Sequence, residues 1–152
     1  IIVNYSLNLL KILGINISRE LFREHRLPEE RLFQAIILQS FEDALNTGQH
    51  KQDAYVKQDS YDWFTNDTKN FNNICWYANF EPEIIRSKFN ELVAKKIIKY
   101  TKTQLKWLRY RWLYKQYRAT VEKEQRRKIL KEIKSIEGLK KDPGGNKKKQ
   151  KI

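Results

Sequence analysis

Between residues 28 and 45 apolar and polar positions recur with a helical period. Leu32, Ala35, Ile36, Gln39 and Asp43 share one spacing, and Phe33, Ile37, Ser40, Phe41 and Leu45 share another. So wide a stripe predicts the central helix of a core. Pro28 suits a first helical turn, Glu29 and Glu30 sit beside the positive end of the helix dipole, and "NTGQH" at 46–50 ends the run with Gly48 free to go left-handed. A second helix is expected from about Lys51 to Phe64, burying Ala54, Tyr55, Tyr61, Trp63 and Phe64, with "TND" at 65–67 as turn and cap. A third, 70–78, carries Phe71, Ile74, Cys75 and Ala78 inward. Pro82 opens a fourth that runs to about Ile98, with Ile85, Phe89, Leu92 and Lys96 on its inner face.

No Gly or Pro interrupts the chain from Thr103 to about Ile136, which predicts one long helix. Its first half, "KYTKTQLKWLRYRWLYKQYRATV", has two apolar stripes. Trp107, Tyr110, Tyr114, Tyr117 and Val121 line one; Leu105, Leu108, Trp112 and Ala119 line the other. One stripe can dock on the rest of the chain. The other needs a second cover: a partner protein, a dimer mate or the N-terminal segment. Past Thr120 the residues Ile129, Ile133 and Ile136 move to a different angular sector, which implies a bend or a handover between packing surfaces. "EKEQRRKILKEIK" reads as a solvated stretch with i,i+4 pairs such as Glu124–Lys128, and its Lys/Arg excess makes it a further candidate for phosphate contact. The closing "KKDPGGNKKKQKI" has no apolar period and reads as a disordered basic tail.

At the other end, "IIVNYSLNLLKILGINI" is apolar but broken by Asn4, Ser6, Asn8, Lys11 and Asn16. It lacks the roughly 20 apolar residues of a membrane span and the opening positive charge of a signal peptide. We read it as an amphipathic or strand-like docking segment. The sequence contains no methionine, so a fragment or a misplaced start is an open reading for residues 1–27. The expected architecture is all-α: the N-terminal segment 1–27, a helical helix-turn-helix-like domain 28–98, a basic aromatic-rich helix 99–137 and the tail 138–152.

Charge changes the picture more than overall composition does. Residues 1–90 hold 10 Lys/Arg against 12 Asp/Glu, whereas residues 91–152 hold 21 against 6. A positive excess confined to one segment points to a polyanionic partner, nucleic acid before an anionic membrane. Lys95, Lys102, Lys106, Arg109, Arg111, Lys115 and Arg118 are the expected phosphate contacts. Aromatic rings among cations also suit stacking on single-stranded bases, although rings at helical spacing more often form a core. Cys75 is the single cysteine and only His25 and His50 accompany it, so a disulfide, a structural zinc site or metal catalysis has no support. No paired carboxylates or nucleophile constellation is present either. We expect a cytoplasmic protein with no enzymatic activity, no metal and no cofactor.

"FNNICWYANFEPEIIRSKF", residues 71–89, has the residue types of a helix-turn-helix. Cys75 is small where the second helix crosses the first, Asn79 tolerates positive φ, and Ile74, Ala78, Phe80 and Ile85 flank the turn. Lys88 stands where an apolar residue is common, and Phe89 can compensate. The series "AIILQSFEDAL", "DWF" and "FNNICWYANFEPEIIR" resembles a group of short bacterial and phage-associated helix-turn-helix-like proteins. They share a Phe-x-x-[IV]-Cys-x-x-Ala-x-x-x-Pro-x-x-[IV]-Arg signature, over roughly residues 33–86 here. The group's usual turn glycine is Asn79 in this chain. The resemblance implies DNA binding of a transcription-regulator type rather than a reaction.

On that reading the fourth helix is a recognition helix, with Arg86, Ser87 and Asn90 as candidate base contacts, Arg suiting guanine and Asn adenine. Glu81 and Glu83 at its start oppose approaching phosphates. The rival reading is a protein-interaction module that uses the uncovered aromatic stripe. DNA is favoured over RNA, a protein partner or homodimer stays possible, and no membrane is involved.

Overall fold

A computed structural model describes residues 7–66 and 69–140. Among the described residues there are eight helices and no strand: α1 (Leu7–Leu13), α2 (Ile15–Leu21), α3 (Pro28–Leu45), α4 (Lys51–Thr65), α5 (Lys69–Tyr77), α6 (Pro82–Ala94), α7 (Lys102–Ala119) and α8 (Lys123–Lys140). The all-α expectation therefore holds. The chain divides into two compact units, the first ending at Tyr100 and the second starting at Thr101.

In the first unit Leu9, Leu13, Ile17 and Leu21 recur at four-residue intervals, which is a helical face, and all four are buried. From residue 7 to residue 21 the N-terminal segment is thus an amphipathic helical pair and not a strand. Asn8 and Asn16 lie exposed outside that face. Gly14, at φ 86°, kinks the run into two short helices while Ser18 donates its hydroxyl to Leu10 O at 3.1 Å. These residues share one core with Ile37, Leu38, Phe41, Phe64, Phe71, Ile85, Phe89 and Leu92. Phe64 lies at its centre, stacked on Phe89 at 4.4 Å between ring centroids and 4.6 Å from Phe41. Such ring pairs contribute about 0.5–1.5 kcal/mol each beyond simple burial.

Helix α3 buries Gln34, Ile37, Leu38, Phe41 and Ala44, so of the two expected stripes the one through Leu32 and Ile36 faces outward. Gly48 does not adopt a left-handed conformation. Its lack of a side chain serves closeness instead: a Cβ there would fall 2.2 Å from Asp53 Oδ2, the carboxylate that caps α4 through His50 N. Helix α6 stops at Ala94, short of the expected Ile98. Lys96 is an exposed left-handed cap (φ 59°) rather than an inner-face residue, with Lys96 N donating to Val93 O and Ile97 N to Leu92 O.

In the second unit the predicted long helix is two. Thr120 leaves helical geometry at ψ 131°, its hydroxyl donating back to Gln116 O at 2.7 Å, and α8 folds back against α7. The shift of apolar sector past Thr120 marks this reversal. Leu113, Ile133 and Ile136 are buried between the helices, with Tyr110, Tyr114, Tyr117 and Ile129 around them. The Tyr110 and Tyr114 hydroxyls both donate to Glu137 Oε1, at 2.8 and 3.3 Å. Burial, reinforced by that carboxylate, raises the Tyr110 pKa above the ordinary phenol range. Gly138 lies inside α8, so helix extends into the start of the expected tail; residues 141–152 lie outside the described residues.

Lys57 is wholly buried in the first unit. Its ammonium donates to Asn46 O at 2.7 Å and Lys99 O at 2.5 Å and sits 5.4 Å from the centre of the Tyr100 ring. One side chain thereby joins the end of α3 to the segment after α6. Burial pulls its pKa down to about 8 from 10.5. Below pH 8 both folded and unfolded chains carry the proton, and the folded chain bears the cost of the buried charge. Between 8 and 10.5 the unfolded chain binds a proton the folded one has released, so stability rises with pH. Urea unfolding of the wild type and Lys57→Met at pH 8, 9 and 10 should show the wild type gaining on the variant by the order of 1 kcal/mol per pH unit. A pH-independent gap would contradict this account.

Candidate nucleic-acid interface

The joint between α5 and α6 closes through backbone chemistry that the sequence announces. Phe80 N donates to Cys75 O at 2.9 Å and Asn79 N to Trp76 O at 3.0 Å, with Asn79 left-handed at φ 63°. This is the six-to-one and five-to-two pairing of a Schellman cap, with asparagine at the position glycine usually fills. Cys75 and Ala78 are fully buried at the crossing, and Phe80 packs beneath. Two side chains from earlier in the chain then hold the joint. Gln34, buried in α3, donates to Ala78 O at 3.0 Å, and Asn79 Nδ2 donates to Glu20 Oε1 at 2.8 Å.

Of the three candidate base contacts, Ser87 and Asn90 are exposed on α6 and Arg86 is not free to join them. Arg86 Nε donates to Phe64 O at 3.3 Å, and its guanidinium lies 4.6 Å from the centre of the Phe71 ring. Glu83 approaches it at 3.6 Å. The side chain wraps back onto the aromatic core and fastens α6 there. Around Ser87 the outer face of α6 carries Glu83, Ile84, Lys88 and Glu91. Lys88 donates to Glu91 at 2.8 Å, and that contact holds the Glu91 carboxyl below its ordinary pKa. Lys95 stands 3.8 Å from the same carboxylate, so this expected phosphate contact is partly neutralised. The first 100 residues hold 13 Lys/Arg against 13 Asp/Glu, which offers phosphates little net attraction.

The second unit is different. Residues 101–140 hold 13 Lys/Arg against 4 Asp/Glu. Lys102, Lys106, Arg109, Lys115 and Arg118 are exposed on α7, while Arg111 is half-buried. Arg109 makes a two-pronged pair with Glu132 at 3.0 and 3.2 Å and lies 4.6 Å from the centre of the exposed Trp112 ring. The tyrosines of α7 face α8, so base stacking on that row has no open rings to use.

On α8, expected as a phosphate-contact stretch without named residues, the cations form a stripe. Lys123, Arg127, Lys131 and Lys134 are exposed and recur at i, i+4, i+8 and i+11, which puts them on one face over about 16 Å. Its signal was the spacing, legible once α8 is a separate helix whose inner face is Ile129, Ile133 and Ile136. Glu124 and Lys128 are both exposed and form no ion pair among the described residues, contrary to the expected i,i+4 pair.

Among the described residues no cluster of His, Cys, Asp and Glu could hold a metal ion, and no helix is long and apolar enough to cross a membrane. Comparison of the chain with protein-family models, curated proteins and solved structures returns no match.

Two measurements probe the joint. Burial pushes the Cys75 thiol up to about 12, so Ellman's reagent should leave the folded protein untouched and titrate one thiol in denaturant. Fast native reaction would mean the crossing is open. Asn79→Ala should lower stability by about 1–2 kcal/mol in urea unfolding, because alanine resists positive φ and the Glu20 hydrogen bond is lost; Asn79→Gly should cost less.

Proposed function

We propose that the chain binds nucleic acid, and that the α7–α8 hairpin is the element that holds it. The observation that carries this reading is the exposed cationic surface of residues 101–140, where 13 Lys/Arg face 4 Asp/Glu, with Glu137 half-buried against the tyrosines and Glu132 paired with Arg109 at the surface. Lys and Arg displayed on a rigid scaffold displace counterions from a phosphate backbone, and that release supplies sequence-independent affinity. Lys102, Lys106, Lys115 and Arg118 on α7 and the stripe on α8 are the phosphate contacts.

Sequence preference, where it exists, falls to Ser87 and Asn90 on α6, with Arg86 acting as their anchor to the core. The Schellman-capped joint and the likeness of residues 33–86 to short bacterial and phage helix-turn-helix-like proteins support a DNA-binding regulator of the cytoplasm over an RNA-binding one. On this reading the protein is a binder and carries out no reaction.

Fluorescence anisotropy with a labelled random-sequence duplex, at 50 and 200 mM salt, tests the proposal. Affinity should fall steeply with salt, and Lys115→Glu/Arg118→Glu should flatten the slope of log K against log salt by about 2. An absence of binding at 50 mM salt would overturn it.

A further inference from the structure

The flank of the hairpin carries a groove that phosphate binding does not explain. It encloses about 490 Å³ and is lined by Lys102, Leu105, Lys106, Arg109, Glu132 and Ile136. Leu105, 52% exposed, and the buried Ile136 supply its apolar lining. Such a surface loses free energy to water and offers a phosphate no hydrogen bond. Its rim is cationic on the α7 side only. Glu132, the acid on the α8 side, is occupied by Arg109 at 3.0 Å. Lys102 and Lys106 are left on the rim, one helical turn apart, with exposed side chains.

We propose that this groove seats a short amphipathic helix of a partner protein. An apolar side chain of that helix covers Leu105 and Ile136, and two carboxylates spaced four residues apart meet Lys102 and Lys106. The argument is charge complementarity. Carboxylates at i and i+4 lie about one turn apart on one face of a helix, the same interval as the two lysines. An apolar floor with a charged edge is the pattern of helix-in-groove recognition. Nucleobases are disfavoured because the floor is aliphatic and Trp112, the neighbouring ring, already faces the Arg109 guanidinium. Lys102 and Lys106 are also phosphate contacts on the nucleic-acid reading, so peptide and duplex would compete for those two lysines, whereas the α8 stripe, Lys115 and Arg118 lie outside this lining.

The test is a phage-displayed library of random 14-residue peptides selected on the full chain. The best peptide is then measured by anisotropy on the wild type, Leu105→Asp, Lys102→Glu/Lys106→Glu and Lys123→Glu. Enriched peptides should pair carboxylates four residues apart with an intervening apolar residue. Affinity should fall at least about tenfold for Leu105→Asp and for the double charge reversal and stay within about twofold for Lys123→Glu. The two lysines are exposed, so the double variant keeps the test decisive should Leu105→Asp lose helical circular dichroism. No enrichment, enrichment without carboxylates, or affinity untouched by the double variant would overturn the proposal. So would loss of duplex-DNA affinity in Leu105→Asp with peptide affinity unchanged, since the groove would then belong to the nucleic-acid surface.

Discussion

Two phenol hydroxyls donating to one carboxylate, Tyr110 and Tyr114 to Glu137, hold the basic hairpin shut. Helix α7 alone would leave its tyrosine face in water beside a row of cations, and like charges would oppose any second basic helix drawn up against it. The apolar cluster of Leu113, Ile133 and Ile136 supplies the attraction, and the phenol–carboxylate contacts fix its register. Two of the hairpin's four acids make contacts between its helices. Glu137 takes the two tyrosines and Glu132 takes Arg109, which leaves Glu122 and Glu124, both near the turn. The hairpin stays strongly cationic all the same, although Arg109 is tied to a carboxylate at its surface.

The first unit achieves order by other means. Its charges balance, and its specific contacts are buried polar clasps on backbone carbonyls: Gln34 on Ala78, and Lys57 on Asn46 and Lys99. Each joins segments more than ten residues apart, and two of these contacts span more than forty. Buried donors demand partners, so such contacts penalise alternative packings more than they add net stability. Arg86 works in the same way at the edge of the aromatic core, trading a place on the surface for a grip on Phe64 and Phe71.

What could be read in advance followed from local chemistry. Pro28 and Pro82 open α3 and α6, and Asn79 takes the left-handed turn between α5 and α6, because these residues limit their own backbone angles. The break at 120–122 was legible as a bend but not as a full reversal, because it uses Thr, Val and Glu in place of Gly or Pro. Only the shift of the isoleucines signalled it, and taking the helix as continuous hid the cover that α8 gives to the tyrosine row, while Leu105 and Trp112 of the other stripe stay exposed. Among the candidate site residues, the exposure of Ser87, Asn90 and most α7 cations was legible from spacing. The inward turn of Arg86 was not, since a long flexible side chain can leave the face its Cα occupies. The pairing of Lys95 with Glu91 did have a signal, an acid four residues before a base.

The kinked pair α1–α2 carries a consequence for handling the molecule. Leu9, Leu13, Ile17 and Leu21 are as deeply enclosed as the phenylalanines they meet, so the pair is structural wall rather than appendage. Cutting the chain back to Pro28 would strip that wall and bare an oily trough. A shortened product would find relief by clinging to its own kind, and clumping in such a preparation would reflect the missing wall rather than any native assembly.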